Sequence, residues 1–108
     1  MKRIRKEHQN ERLLRQWLEI EGIEYAREYL FCDGRRWKFD YALPQYKIAI
    51  EVEGGLWIQG RHNRAPGMIA DMEKYNEAAM LGWKVLRYTP EDTNLVIRDL
   101  MRLLGRGC

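Results

Sequence analysis

The spacing of apolar positions changes several times along this chain, and each change marks an element. From about Arg5 to Glu21, Leu13, Leu14, Trp17 and Leu18 form one apolar arc at helical spacing, and Gly22 ends the helix. Glu24 to Phe31 read as a strand, followed by the turn signal Asp33-Gly34. Arg36 to Leu43 alternate as a second strand, Pro44 starts a turn, and Ile48 to Glu53 form a third strand. Gly54 to Gly67, with four glycines, form a loop. Met68 to Leu81 then make a helix, with Met68, Met72, Tyr75 and Ala79 toward the core and Asp71, Lys74 and Ala78 on a neighbouring flank. Gly82 stops it, Trp83 to Tyr88 give a short strand, and Pro90 opens a last helix carrying Leu95, Ile97, Leu100, Leu103 and Leu104. The order is α-β-β-β-α-β-α. It predicts an α/β fold with a mixed central sheet flanked by helices, as a single domain over residues 1–108.

The hairpin between the second and third strands has a register that the pattern selects. With a turn at Pro44-Gln45-Tyr46-Lys47, Leu43 pairs with Ile48, and Asp40 falls opposite Glu51. One face then collects Arg36, Lys38, Asp40, Ala42, Ala49, Glu51 and Glu53. The other collects Trp37, Phe39, Tyr41, Leu43, Ile48, Ile50 and Val52. A turn one residue shorter would mix apolar and charged side chains on both faces, so burial favours the segregated register.

Composition narrows the class. The chain is 45% hydrophobic and 32% charged, which is globular, and no apolar run approaches a membrane span. No apolar stretch follows the basic start Met1 to Lys6, so no signal peptide is expected. Cys32 and Cys108 are too few for a disulfide framework or a four-thiolate zinc site. A reduced, cytoplasmic protein is the expectation. The net charge of +3 is unevenly spread: residues 21–60 hold five basic and seven acidic side chains, whereas both flanking segments are basic.

That acidic middle contains Asp40, Glu51 and Glu53. Like charges opposed on one sheet face repel unless something compensates. Either the face is solvated and Arg36 and Lys38 neutralise it, or the carboxylates hold a cation. An acid within the apolar run Ile48 to Val52, followed at once by Gly54-Gly55, favours the cation. Hard oxygen ligands suit Mg²⁺ or Mn²⁺. Glu11, at the edge of the first helix's apolar arc, either reaches the sheet margin or points outward. Lys74 either holds a phosphate or water, or is a surface lysine. In Gly60-Arg61-His62-Asn63-Arg64, the two arginines suit phosphate oxygens, and His62 suits proton transfer or phosphate binding.

The element order and these residues resemble the PD-(D/E)XK nuclease core. Phe39-Asp40 followed by Ile50-Glu51-Val52-Glu53 looks like its D…(D/E)-x-K motif. The Arg-His loop and Gly82-Trp83-Lys84-Val85-Leu86-Arg87 resemble the small Vsr-like and phage or bacterial endonuclease members. The resemblance implies a restriction endonuclease-like fold and a divalent metal, Mg²⁺ or Mn²⁺, held by Asp40, Glu51 and the Val52 carbonyl. It also implies a catalytic acid on the first helix at Glu11. Glu53 stands where the motif has lysine, and Lys74 on the following helix is the candidate for a migrated lysine.

The activity so implied is metal-dependent hydrolysis of DNA phosphodiester bonds, nicking or structure-specific. Arg61, His62, Arg64, Arg36 and Lys38 would contact the nucleic acid, with Arg35 extending that grip. The alternative is a degenerate nucleic-acid-binding module that keeps the fold. No membrane partner is expected. A core this small is expected to need sparse substrate contacts or a homodimer.

Overall fold

The computed structural model describes residues 6–53 and 65–106, the side chains of 65–68 excepted. Arg61, His62 and Arg64 lie outside the described residues. Helix α1 (Gln9–Ile20) leads into strands β1 (Ala26–Leu30), β2 (Lys38–Leu43) and β3 (Ile48–Val52). Helix α2 (Ala65–Met80), strand β4 (Lys84–Tyr88), a 3-10 turn (Pro90–Asp92) and helix α3 (Leu95–Leu103) complete the order. The sheet runs β1-β2-β3-β4, with antiparallel β1/β2 and β2/β3 pairs and a parallel β3/β4 pair joined through α2.

Helices cover both faces. Leu14 and Leu18 of α1 and Val96 and Leu100 of α3 pack on Tyr41, Leu43, Ile48, Ile50 and Val52. Ala78 of α2 packs on Phe39, Ala42, Ala49 and Trp83 from the other side. Every residue of β3 is buried, as a central strand between two helical layers requires. Among the described residues, no helix is long and apolar enough to cross a membrane.

Several expected boundaries move for identifiable reasons. Helix α1 starts at Gln9 because His8 caps it: Asn10 N–H donates to His8 Nδ1 at 3.1 Å, and His8 N–H donates to Glu11 Oε2 at 3.0 Å. Helix α2 starts at Ala65, with Pro66 in the first turn where a missing N–H costs nothing. The segment after Pro90 is a 3-10 turn and then a separate helix, divided at buried Thr93, whose hydroxyl donates to the Pro90 carbonyl at 2.9 Å. On α3 the buried positions are Val96 and Leu100, whereas Leu103 is exposed. Both expected helix stops hold, with Gly22 and Gly82 in left-handed conformation at φ 70° and 90°.

The hairpin register is the expected one: Leu43 pairs with Ile48, Ala42 with Ala49 and Tyr41 with Ile50. The face assignment needs correction before Asp40: Trp37 stacks on Phe31, which packs on the α2 side, with ring centroids 6.2 Å apart. Phe39 packs on the α2 side with Ala42, not with Tyr41 and Leu43. The alternation breaks where the β1–β2 ladder skips the Glu28/Asp40 pair, and Glu28 there has φ 52°. Phe39 stacks on Phe31, with ring centroids 4.0 Å apart, and lies against Trp83 at 5.0 Å.

Helix α1 is fastened to the sheet by a polar contact. Tyr41 Oη lies 2.7 Å from both Glu7 Oε2 and Glu11 Oε1. A phenol has one proton and donates to one carboxylate at a time. Arg15 grips Glu7 through two N–H donors at 2.7 and 2.9 Å. Burial alone raises the pKa of Glu7, but the hydrogen bonds from Arg15 and Tyr41 and the charge of Arg27 outweigh it and hold the pKa below 4.5.

Two outcomes follow for stability. Phe39→Ala lowers unfolding free energy by about 3–5 kcal/mol in urea titration, and a loss below about 1 kcal/mol contradicts the stacked arrangement. Because the Glu7 pKa is depressed on folding, its contribution is present above its ordinary value of 4.5 and is lost as pH falls below it. Melting temperatures of wild type and Glu7→Gln therefore converge below pH 4.5. A constant gap from pH 7 down to 3 rules the arrangement out.

Candidate active site

The backbone ladder between β2 and β3 gives way to side chains at Asp40 and Glu51. Asp40 N–H donates to Glu51 Oε2 at 3.0 Å, and Val52 N–H donates to Asp40 Oδ2 at 2.7 Å. Each carboxylate is thus anchored by a backbone amide of the opposite strand. Such charge-assisted bonds are short and directional, so they fix both acids relative to the sheet.

Helix α2 supplies the counter-charge. Lys74 Nζ donates to Glu51 Oε1 at 2.8 Å, and the two side chains are only 14% and 7% exposed. Tyr75 Oη donates to the same oxygen at 2.6 Å. Burial, and then the bond to Glu51, push the Tyr75 hydroxyl pKa up, so it remains a protonated donor. Glu51 is almost fully buried, and leaving such a carboxylate without partners would cost several kcal/mol. Three donors offset that cost here.

This arrangement corrects the expected face of α2. Met72 is 58% exposed and Ala79 is exposed, while Ala78 is buried and Lys74 and Tyr75 are half-buried. The helix is turned so that its charged flank, not its methionine side, faces the sheet. The cause is the sheet surface beneath it: Glu51 draws Lys74 and Tyr75, and Ala42, Ala49 and Ala78 permit close approach.

The other expected site residues fall in different surroundings. Glu53 is paired in two-pronged fashion with Arg87 of β4, with Nη2 to Oε1 at 3.0 Å. Glu11 is fully buried on the α1 side, bonded by Tyr41 and the His8 amide. Arg36 is exposed, and Lys38 pairs with Glu28 at 2.9 Å. These two basic residues line an open hollow of about 420 Å³ with Glu28 and Leu30. The Arg35 guanidinium lies 3.7 Å from the Trp37 ring centroid.

Among the described residues, the structure therefore joins Asp40, Glu51, Val52 and Lys74 directly. Within the same limits, no group of three or more His, Cys, Asp or Glu side chains is gathered for a metal ion. Two carboxylates suffice for the chemistry in question, since Mg²⁺ is commonly bound by one or two carboxylates with water completing its shell. Tyr75 and Arg87 were not among the expected site residues. Their signals were a half-polar aromatic beside Lys74 and an arginine ending the Gly82-to-Arg87 run.

No protein-family profile matches the sequence, and no curated protein matches it significantly. A solved structure titled "Homing Endonuclease I-Bth0305I Catalytic Domain" is similar over 90% of this chain and 91% of that one, at 23% identity and a TM-score of 0.59. The likeness extends across almost the whole of both chains, and the two share a fold.

Proposed function

We propose that this chain is a DNA endonuclease that hydrolyses phosphodiester bonds with the help of Mg²⁺ or Mn²⁺. The observation that carries the reading is the meeting of Asp40, Glu51 and Lys74 across three elements, with Lys74 Nζ 2.8 Å from Glu51. Similarity to a domain titled as catalytic in a homing endonuclease supports the same reading. So does the resemblance to the PD-(D/E)XK motif, with Lys74 in the role of the missing strand lysine.

Asp40 and Glu51 would hold the divalent ion together with the Val52 carbonyl. When bound, the ion supplies Lewis acidity toward the phosphoryl oxygens and lowers the pKa of a coordinated water. The protein's own part is positional and electrostatic. Lys74 uses one N–H on Glu51, and its ammonium has two more donors for a water or a phosphate oxygen. Its charge also offsets that of the approaching phosphate. Arg61, His62 and Arg64 would grip the backbone beside the scissile bond, with Arg36 and Lys38 extending the contact. Binding of this kind weakens steeply with salt.

The test is nicking of supercoiled plasmid, with single-stranded, mismatched and branched DNA in parallel, in Mg²⁺, Mn²⁺ or EDTA. Wild type cleaves with metal and not with EDTA. Lys74→Ala loses about 10²–10³-fold in rate, the range for removing one positioned charge-stabilising donor. Asp40→Ala, still folded by circular dichroism, is inactive. Equal cleavage by wild type and Asp40→Ala sinks the site assignment. Binding of DNA by the wild type without cleavage under every condition leaves the non-cleaving module as the correct reading.

A further inference from the structure

Glu53 occupies the position where the resembled motif carries lysine, and its contacts suggest a different task. Its carboxylate takes both prongs of the Arg87 guanidinium. That guanidinium lies 4.5 Å from the centroid of the Tyr75 ring. Tyr75 Oη in turn donates to Glu51 Oε1 at 2.6 Å. Two side chains, Arg87 of β4 and Tyr75 of α2, therefore connect Glu53, just past β3, to Glu51 within it.

The parallel register explains why such a device is needed. Arg87 is the pairing partner of Glu51 on the adjacent strand. A guanidinium beside a buried carboxylate would ordinarily form a two-pronged pair with it. Such a pair would add a second counter-charge to Glu51 and compete with Lys74, Tyr75 and the Asp40 amide for its oxygens. The end of β3 prevents this. Glu53 N–H donates to the Tyr88 carbonyl at 2.8 Å, which fixes residue 53 against β4. The Glu53 carboxylate is then the one that captures Arg87, and the captured guanidinium covers the ring of Tyr75. Glu51 is left with Lys74, the Tyr75 hydroxyl and the Asp40 amide.

We propose that Glu53 is a positioning residue that diverts Arg87 away from Glu51 and onto the Tyr75 ring, so that Glu51 faces one counter-charge, Lys74, rather than two and stays open to a divalent cation. The proposal rests on the nuclease reading above. It separates two jobs at the altered motif: Lys74 takes the lysine's place, and Glu53 restrains a competing arginine. It also yields an expectation opposite to that for a metal-ligating Glu53. If Glu53 only restrains Arg87, removing both residues harms the cation site less than removing Glu53 alone.

The experiment measures Mn²⁺ affinity of the DNA-free full chain by electron paramagnetic resonance, with circular dichroism as the folding control. The variants are Glu53→Gln, Arg87→Met, Glu53→Gln/Arg87→Met and Asp40→Asn. Glu53→Gln weakens Mn²⁺ binding by about 10–100-fold, the usual effect of losing an outer partner of a metal ligand. The double variant recovers to within about threefold of Arg87→Met. A double variant as weak as Glu53→Gln, or no loss in Glu53→Gln, overturns the proposal. Should Glu53→Gln not fold, comparing the double variant with Arg87→Met still decides: equal affinity supports the restraint, and a further loss makes Glu53 a ligand. Absence of Mn²⁺ binding already in wild type, matching Asp40→Asn, defeats the metal-dependent reading itself and the proposal with it.

Discussion

The cross-strand exchange at the end of the β2–β3 ladder governs the rest of the site. Asp40 and Glu51 each accept a backbone N–H from the other's strand, at 2.7 and 3.0 Å respectively, where main-chain pairing stops. Two acids facing each other on a sheet repel, and their charges are costly to bury. The amides reduce that cost and fix the carboxylates in place. Once the acids are set there, the layer above them has to supply positive charge and hydroxyl donors. Helix α2 does so with Lys74 and Tyr75.

Close packing makes that supply effective. Ala42, Ala49 and Ala78 bring α2 down onto the sheet, and the aromatic group of Phe39, Phe31 and Trp83 fills the adjoining space. Lys74 Nζ is 5.7 Å from the centroid of the Phe39 ring and 5.1 Å from that of Tyr75. Aromatic walls around an ammonium limit its hydration and strengthen its attraction to Glu51. On the opposite face, α1 and α3 form an apolar layer, and the Glu7, Glu11 and Tyr41 contact ties α1 to β2. The carboxylate pair thus spans the two inner strands, β2 and β3, of a sheet packed on both sides.

The hairpin register could be read from the sequence because Leu43, Ile48, Ile50 and Tyr41 segregate from the charges in only one pairing. Helix stops at Gly22 and Gly82 were equally legible, since only glycine takes φ near 70–90° without cost. Simple alternation puts Phe39 on the wrong face because it assumes an unbroken pleat, and the β1–β2 ladder breaks at the Glu28/Asp40 pair. The facing of α2 was hidden for another reason. Met72 and Ala79 suit either environment, and Lys74 turns inward only because Glu51 lies beneath it. The Glu53–Arg87 pair required the parallel β3/β4 register, which no local pattern encodes. Arg61, His62 and Arg64 remain sequence expectations, being outside the described residues.

The central claim is that Asp40 and Glu51 form one cation-binding unit, and amide NMR during Mg²⁺ titration tests it most directly. The Asp40 and Val52 N–H groups each bond one of the two carboxylates, so they report on the site from within the backbone. The account predicts that both resonances shift early and saturably, and that Asp40→Asn abolishes the response. Saturable shifts elsewhere in the chain, with the Asp40 and Val52 amides unmoved, would contradict it.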